Sequence, residues 1–143
     1  MKKKLLSITI CTFAIAAALC FAGCSSQEPE EPANLNGEWT QTNSASEDSY
    51  QQATITDDAI EVYWVSDGGN TKSLYWSGTY TAPTEPGDYN WTSENDKSKT
   101  DTALLASGDD TKDFSYSSSD NKISYQVSAL GTTTTVELEP TDK

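Results

Sequence analysis

The side chains of this sequence that could do acid–base or ligating chemistry are almost all carboxylates. Twenty-two Asp and Glu stand against nine Lys, with no Arg and no His. Without His, a serine or cysteine hydrolase lacks its usual general base, and the commonest transition-metal ligand is missing. Adjacent carboxylates such as Asp57-Asp58 and Asp109-Asp110 have the right groups for paired acid–base work. Both pairs sit in turn-like contexts, where Asp is favoured because its side chain bonds the local backbone. The stretches Asp109-Asp110-Thr111-Lys112-Asp113 and Glu94-Asn95-Asp96 offer oxygen ligands of the kind calcium takes. Neither has the ligand spacing or the glycine of a calcium loop. There is no Walker loop, no Gly-x-Gly-x-x-Gly and no nucleophile elbow. A carboxylate-dependent hydrolase is therefore the least supported reading. The expectation is a non-enzymatic protein with no cofactor and no metal.

The cysteines carry more information. Cys11, Cys20 and Cys24 all lie within the first 24 residues. Met1-Lys2-Lys3-Lys4 is followed by an apolar run from Leu5 to Phe21 and the small pair Ala22-Gly23. A basic region, an apolar region and a small-residue cleavage site make a secretory signal peptide. The apolar run is at the short edge of what spans a hydrocarbon core of about 30 Å. Phe21-Ala22-Gly23-Cys24 resembles a bacterial lipobox, with Phe in place of the usual Leu. In such lipoproteins the cysteine is lipidated and becomes the first residue of the mature chain. The resemblance implies lipidation at Cys24 and attachment to the bilayer by a diacylglycerol, with the domain held outside the cytoplasm. One acyl chain alone anchors weakly, and two give stable attachment. The remaining chain would have no cysteine, so it must fold on its core alone.

Beyond residue 23 only six Lys remain, against all 22 carboxylates, a formal charge of 6 − 22 = −16. Nucleic-acid binding depends on Lys and Arg to neutralise phosphates, so nucleic acid is not an expected partner. A basic protein is an electrostatically suitable one. Disordered acidic chains are poor in aromatics. This one carries four Trp, seven Tyr and Phe114 beyond residue 23, enough for a core.

The chain divides into a leader (1–23), an acidic Ser-, Pro- and Glu-rich tether (24–33) and a folded domain (34–140). From Leu35 onward the apolar pattern has period two. Glu38 to Thr42 and Gln52 to Thr56 read as strands, with Asp57-Asp58 a turn. Ile60, Val62 and Trp64 alternate on one face, and Glu61, Tyr63 and Val65 on the other. Asp67-Gly68-Gly69-Asn70 is a hairpin turn in which Gly supplies positive φ. Leu74, Trp76, Gly78 and Tyr80 alternate next, and then Tyr89 and Trp91. Phe114 to Tyr116 is a short strand, Asp120-Asn121 a turn, and Ile123, Tyr125 and Val127 a further face. Leu130-Gly131 turns the chain into a last strand, Thr132 to Leu138. Thr102 to Ala106 is the one helical candidate, capped by Thr100 or Asp101 and stopped by Gly108. Turn signals every 8 to 12 residues among β-branched and aromatic residues indicate an all-β fold. An eight-stranded antiparallel up-and-down barrel fits the length and removes the sheet edges. Its inner face would carry Trp39, Ile55, Val62, Trp76, Ile123 and Val127. A flattened β-sandwich is the alternative.

Three resemblances bear on function. Gly37-Glu38-Trp39 is similar to the Gly-x-Trp of the first strand of lipocalin-like proteins, whose indole plugs one end of the barrel. Ser77-Gly78-Thr79-Tyr80 is similar to the Ser-Gly-x-x-Tyr loop of bacterial lysozyme-inhibitor lipoproteins. It has one residue fewer between Gly and Tyr and falls in an alternating strand. The stretch from Thr54 to Pro86, with Ser128 to Pro140, resembles small uncharacterised lipoproteins of Gram-positive bacteria and their mobile elements. That last resemblance implies a lipocalin-like or avidin-like barrel and no activity. The function expected is a lipid-anchored binding barrel, with Trp39, Trp64, Trp76, Trp91 and Tyr80 as candidate binding residues for a small ligand or a protein. The alternative is an inhibitor or surface-exclusion lipoprotein acting on a basic or phage protein.

Overall fold

The computed structural model describes residues 29–141, and Cys24 with its leader lies outside the described residues. No helix among those described is long and apolar enough to cross a membrane. The alternating stretches form eight strands: β1 (Gly37–Gln41), β2 (Tyr50–Ile55), β3 (Ala59–Ser66), β4 (Thr71–Thr79), β5 (Tyr89–Glu94), β6 (Thr111–Ser117), β7 (Lys122–Ala129) and β8 (Thr132–Pro140). All are antiparallel, in the order β4-β3-β2-β1-β8-β7-β6-β5. Each strand thus lies beside its neighbours in sequence, and β8 returns to β1. This is an up-and-down barrel, closed except along β4 and β5. That seam is joined by a single bridge, Gly78 to Asn95. The Trp76 indole also donates to Ser93 Oγ across it (3.0 Å), and the Asp96 N–H to the Ser77 carbonyl (2.8 Å).

Burial alternates with period two along β2, β5 and β6, while β4 buries Tyr75 to Gly78 in a row. The expected inner-face residues Trp39, Ile55, Val62, Trp76, Ile123 and Val127 all lie in one core cluster. Eight strands enclose just enough space for side chains to fill. Here the filling is largely aromatic. Tyr89, Trp91, Phe114 and Tyr125 form a ladder of rings with centroids 5.7, 5.1 and 5.0 Å apart.

The two ends differ. At the end where β1 begins, Leu35 is buried and its carbonyl accepts the Trp39 indole N–H (2.8 Å). Trp39 packs edge-on against Tyr116, so its indole closes that end. Pro29 to Pro32 are exposed without secondary structure, and Ala33 already packs on the core. Asn36 ties this entry segment to the 57–58 turn through Asp57 (2.6 Å).

The opposite end is ragged. The β3–β4 and β7–β8 hairpins rise above β5 and β6. The ladder between β6 and β7 stops at Phe114 and Tyr125, so Gln126 to Ala129 pair only with β8. In place of a strand, residues 101–109 run across the gap beside β4, held by the Ser107 N–H on the Tyr75 carbonyl (2.8 Å).

This crossing segment corrects the helical expectation for Thr102 to Ala106. The helix is earlier and shorter: α1 spans Lys97–Thr100, and Asp96 caps it by accepting the Ser98 N–H (3.1 Å). Asp96 takes the cap four residues before Thr100. After α1 the chain makes only tight three-residue turns, Ala103 N–H to the Thr100 carbonyl and Ala106 N–H to the Ala103 carbonyl. The bond to Tyr75 then extends it along β4. A second difference is in β6, which begins at Thr111 and not at Phe114.

Candidate functional site

Four of the five proposed binding residues lie deep in the core. Trp76 is wholly buried, and Trp39 and Trp91 nearly so. Tyr80 is buried against Trp91, with ring centroids 5.3 Å apart. Burial and the nearby Tyr89 push its phenol up to about 12. The Ser77-Gly78-Thr79-Tyr80 stretch runs along β4 and into the core, not out as a loop. Only Trp64 reaches the surface. It stands on the inner face of β3, opposite Gln51 of β2, and stacks edge-on against Tyr75 (5.5 Å).

Trp64 lies between two grooves at the ragged end. One, of about 430 Å³, runs between β7 and the crossing segment and is lined by Trp64, Tyr75, Leu105, Asp109, Val127 and Ala129. The other, of about 300 Å³, lies between the 43–50 stretch and the β7–β8 hairpin and shares Trp64, Val127 and Ala129. Both are open, and their walls mix polar and apolar groups. A third groove, of about 440 Å³, lies between Leu74 and the Ala103 to Leu105 turn.

Sequence reasoning did not single out the residues that finish this rim. The three large exposed apolar side chains among the described residues are Leu104, Leu105 and Leu130. All three stand at the open end, Leu104 and Leu105 on the crossing segment and Leu130 on the β7–β8 turn. The signal available was Leu104-Leu105 in an otherwise polar stretch, and a Leu where a hairpin turn usually takes Asn or Gly.

Beneath the rim is a buried polar group. Lys112 points inward from β6, is 7% exposed, and lies 5.2 Å from the ring centroids of both Tyr75 and Trp76. Its ammonium donates to Asp109 Oδ2 (3.2 Å) and to the Gln126 carbonyl that β6 leaves unpaired (3.4 Å). The Ser107 hydroxyl and Lys112 hold the Asp109 carboxyl below the usual range. That ionised pair fastens the crossing segment over the gap. Gln51 is fully buried; Tyr125 Oη donates to its Oε1, and its Nε2 has no partner among the described residues. Desolvation raises the Tyr125 phenol well above its ordinary value.

The carboxylates offered as paired acids or calcium ligands are not assembled into one site. Asp57 bonds Asn36, and Asp109 is turned towards Ser107 and Lys112. Asp96 caps α1. The shallow groove over the β4–β5 seam is lined by Asp58, Glu94, Asp96 and Lys99. Lys99 pairs there with Glu61 (2.7 Å) and, with Tyr63, keeps the Glu61 carboxyl ionised below its usual range. Among the described residues no three Asp, Glu, Cys or His groups converge to hold a metal.

No family model, no curated protein and no solved structure matches the chain.

Proposed function

We propose that the protein is an extracytoplasmic lipoprotein, anchored to the cell membrane through a lipid on Cys24, whose barrel is a non-enzymatic module that contacts a partner protein. The observation that carries this reading is the polarity of the barrel. The chain enters at the closed end, beside Trp39 and the 57–58 turn, while the exposed apolar groups and grooves gather at the opposite end. A tether from Cys24 to Ala33 is about ten residues and spans at most about 35 Å. A barrel held this way presents its ragged end outward.

A protein partner is favoured over an enclosed small ligand because the aromatic ladder fills the interior. What stays open is a rim, suited to taking side chains from another surface. The carboxylates support the non-enzymatic reading through their partners: they serve as turn, cap and ion-pair groups.

The test uses a photo-reactive amino acid placed at Ala129 on the rim, or at Asp120 at the closed end, in cells that express the full chain. Cross-links to a protein from position 129 and none from 120 are expected. Cross-links confined to 120, or none from 129, would overturn the reading. Anchoring is tested separately: Cys24→Ser should release the chain from the membrane fraction or leave an unprocessed precursor. A normally processed N-terminus with unchanged membrane retention would contradict it.

A further inference from the structure

Leu130 is the most anomalous residue of the described domain. It is fully exposed, and its φ is +51°. Gly131 follows at φ +80°, so the two make a tight turn of the kind that favours Asn-Gly. A left-handed conformation is unfavourable for a leucine, and so is exposing its whole side chain to water. No contact within the domain offsets either cost. Strain kept at one position without an internal reason is an indication of function. Leu104 is equally exposed, and Leu105 is more than half exposed, on a different loop of the same end.

Carboxylates outnumber lysines around these leucines. Glu47 and Asp48 lie on the β1–β2 loop, Asp67 on the β3–β4 turn, and Asp101 and Asp110 on the β5–β6 connection. Two of the lysines of that end are paired with carboxylates, Lys97 with Asp110 and Lys112 with Asp109, while Lys72 bonds the neutral Gln52.

We propose that Leu104, Leu105 and Leu130, inside this acidic ring, form the docking surface for a cationic amphipathic polypeptide segment, one that presents apolar side chains flanked by Lys or Arg. The inference rests on the rim being the contact surface and adds the chemistry of the partner. A basic segment satisfies both parts of the rim at once: its apolar side chains enter the grooves beside Leu74 and Trp64, and its charges meet the acidic ring. An anionic bilayer is disfavoured because the same carboxylates repel its headgroups, and because the chain enters at the other end. A second copy is disfavoured because it brings a like-charged ring to the same place.

Three synthetic helix-forming peptides test this against the purified domain: Leu at helical spacing with Lys elsewhere, the same with Glu for Lys, and the same with Ser for Leu. The Lys/Leu peptide should bind, more tightly as salt falls. Leu130→Gly should weaken that binding roughly 10- to 100-fold, the effect of losing one buried leucine, while raising the thermal midpoint because the turn relaxes. A Leu104→Ser/Leu105→Ser variant should weaken it as much. The Lys/Ser peptide should bind weakly and without regard to Leu130. Lys/Leu binding that ignores both leucine variants overturns the proposal, as does no binding at all. Preferential binding to anionic phospholipid vesicles, or self-association of the domain through the rim, also overturns it. If the Glu/Leu peptide binds as well as the Lys/Leu one, and Leu130→Gly weakens both, the rim remains a contact surface and only the cationic partner is refuted.

Discussion

Gly78 is where the barrel closes, and replacing it with Ala should separate the seam. The position faces inward on β4 and makes the single bridge to Asn95. A Cβ there would collide with Ser93 Oγ and stand 2.5 Å from the Glu94 carbonyl oxygen and 2.8 Å from Trp76 Nε1. Ser93 and Trp76 are buried, and the Glu94 carbonyl is backbone, so no flexible side-chain end can swing away. Overpacking of this kind costs about 1–3 kcal/mol. Pushing β5 outward also breaks the Trp76–Ser93 hydrogen bond and strands a buried indole N–H, about 1–3 kcal/mol more. A total near 3 kcal/mol is a large share of the roughly 5–15 kcal/mol that holds a domain folded. In urea, with a slope of about 1.5 kcal/mol per molar, the midpoint should fall by about 2 M. The assay is equilibrium urea unfolding followed by Trp fluorescence and circular dichroism. In a Ser93→Ala background, Gly78→Ala should cost at least about 1 kcal/mol less, because the nearest obstacle is gone. A midpoint shift below about 0.5 M at unchanged slope, or no coupling to Ser93, would refute this account of the seam.

Two further outcomes follow from the same contacts. Leu130→Gly should stabilise the domain by about 0.5–1 kcal/mol, the relief of a left-handed leucine less the added freedom of Gly when unfolded, read as a rise in thermal midpoint; a fall would show that Leu130 contacts the domain after all. The Tyr80 and Tyr125 phenols are both raised in the folded protein, Tyr80 to about 12. The folded chain therefore holds protons that the unfolded one releases. Stability should be flat below about pH 10 and decline as pH rises from there towards 12. Alkaline unfolding curves and tyrosinate absorbance check this, and a stability that climbs over that range would contradict the burial of these rings.

Much of the barrel was legible because each inner-face position is repeated every second residue. Ile60 and Val62 on β3, and Ile123, Tyr125 and Val127 on β7, declare their faces without help. Asp57-Asp58, Asp67 to Asn70 and Leu130-Gly131 marked three of the turns. What the alternation could not supply was the inward polar residue. Lys112 has the parity of Phe114 and Tyr116, but a lysine between Thr111 and Asp113 reads as surface until Tyr75 and Trp76 are seen to lie over it. Gln51 is hidden for the same reason. The crossing segment was misread as a helix because Ala and Leu favour one locally. The deciding bond, Ser107 to Tyr75, joins residues far apart in the chain. Trp64 was the one rim residue named; the leucines of the rim were missed because aromatics draw attention as binding residues, whereas here most aromatics fill the barrel and leucines face water.

The central claim is that the ragged end, and not the interior or the seam, is the surface this protein uses. Amide chemical shifts of the isotope-labelled domain, followed during titration with the Lys/Leu peptide, test it most directly. Perturbations gathered at Trp64, Leu104, Leu105, Ala129 and Leu130 are expected, with Asp57, Asp88 and Ser118 at the closed end unmoved. Perturbations centred on the closed end, or on the Glu61–Lys99 groove over the seam, would contradict it.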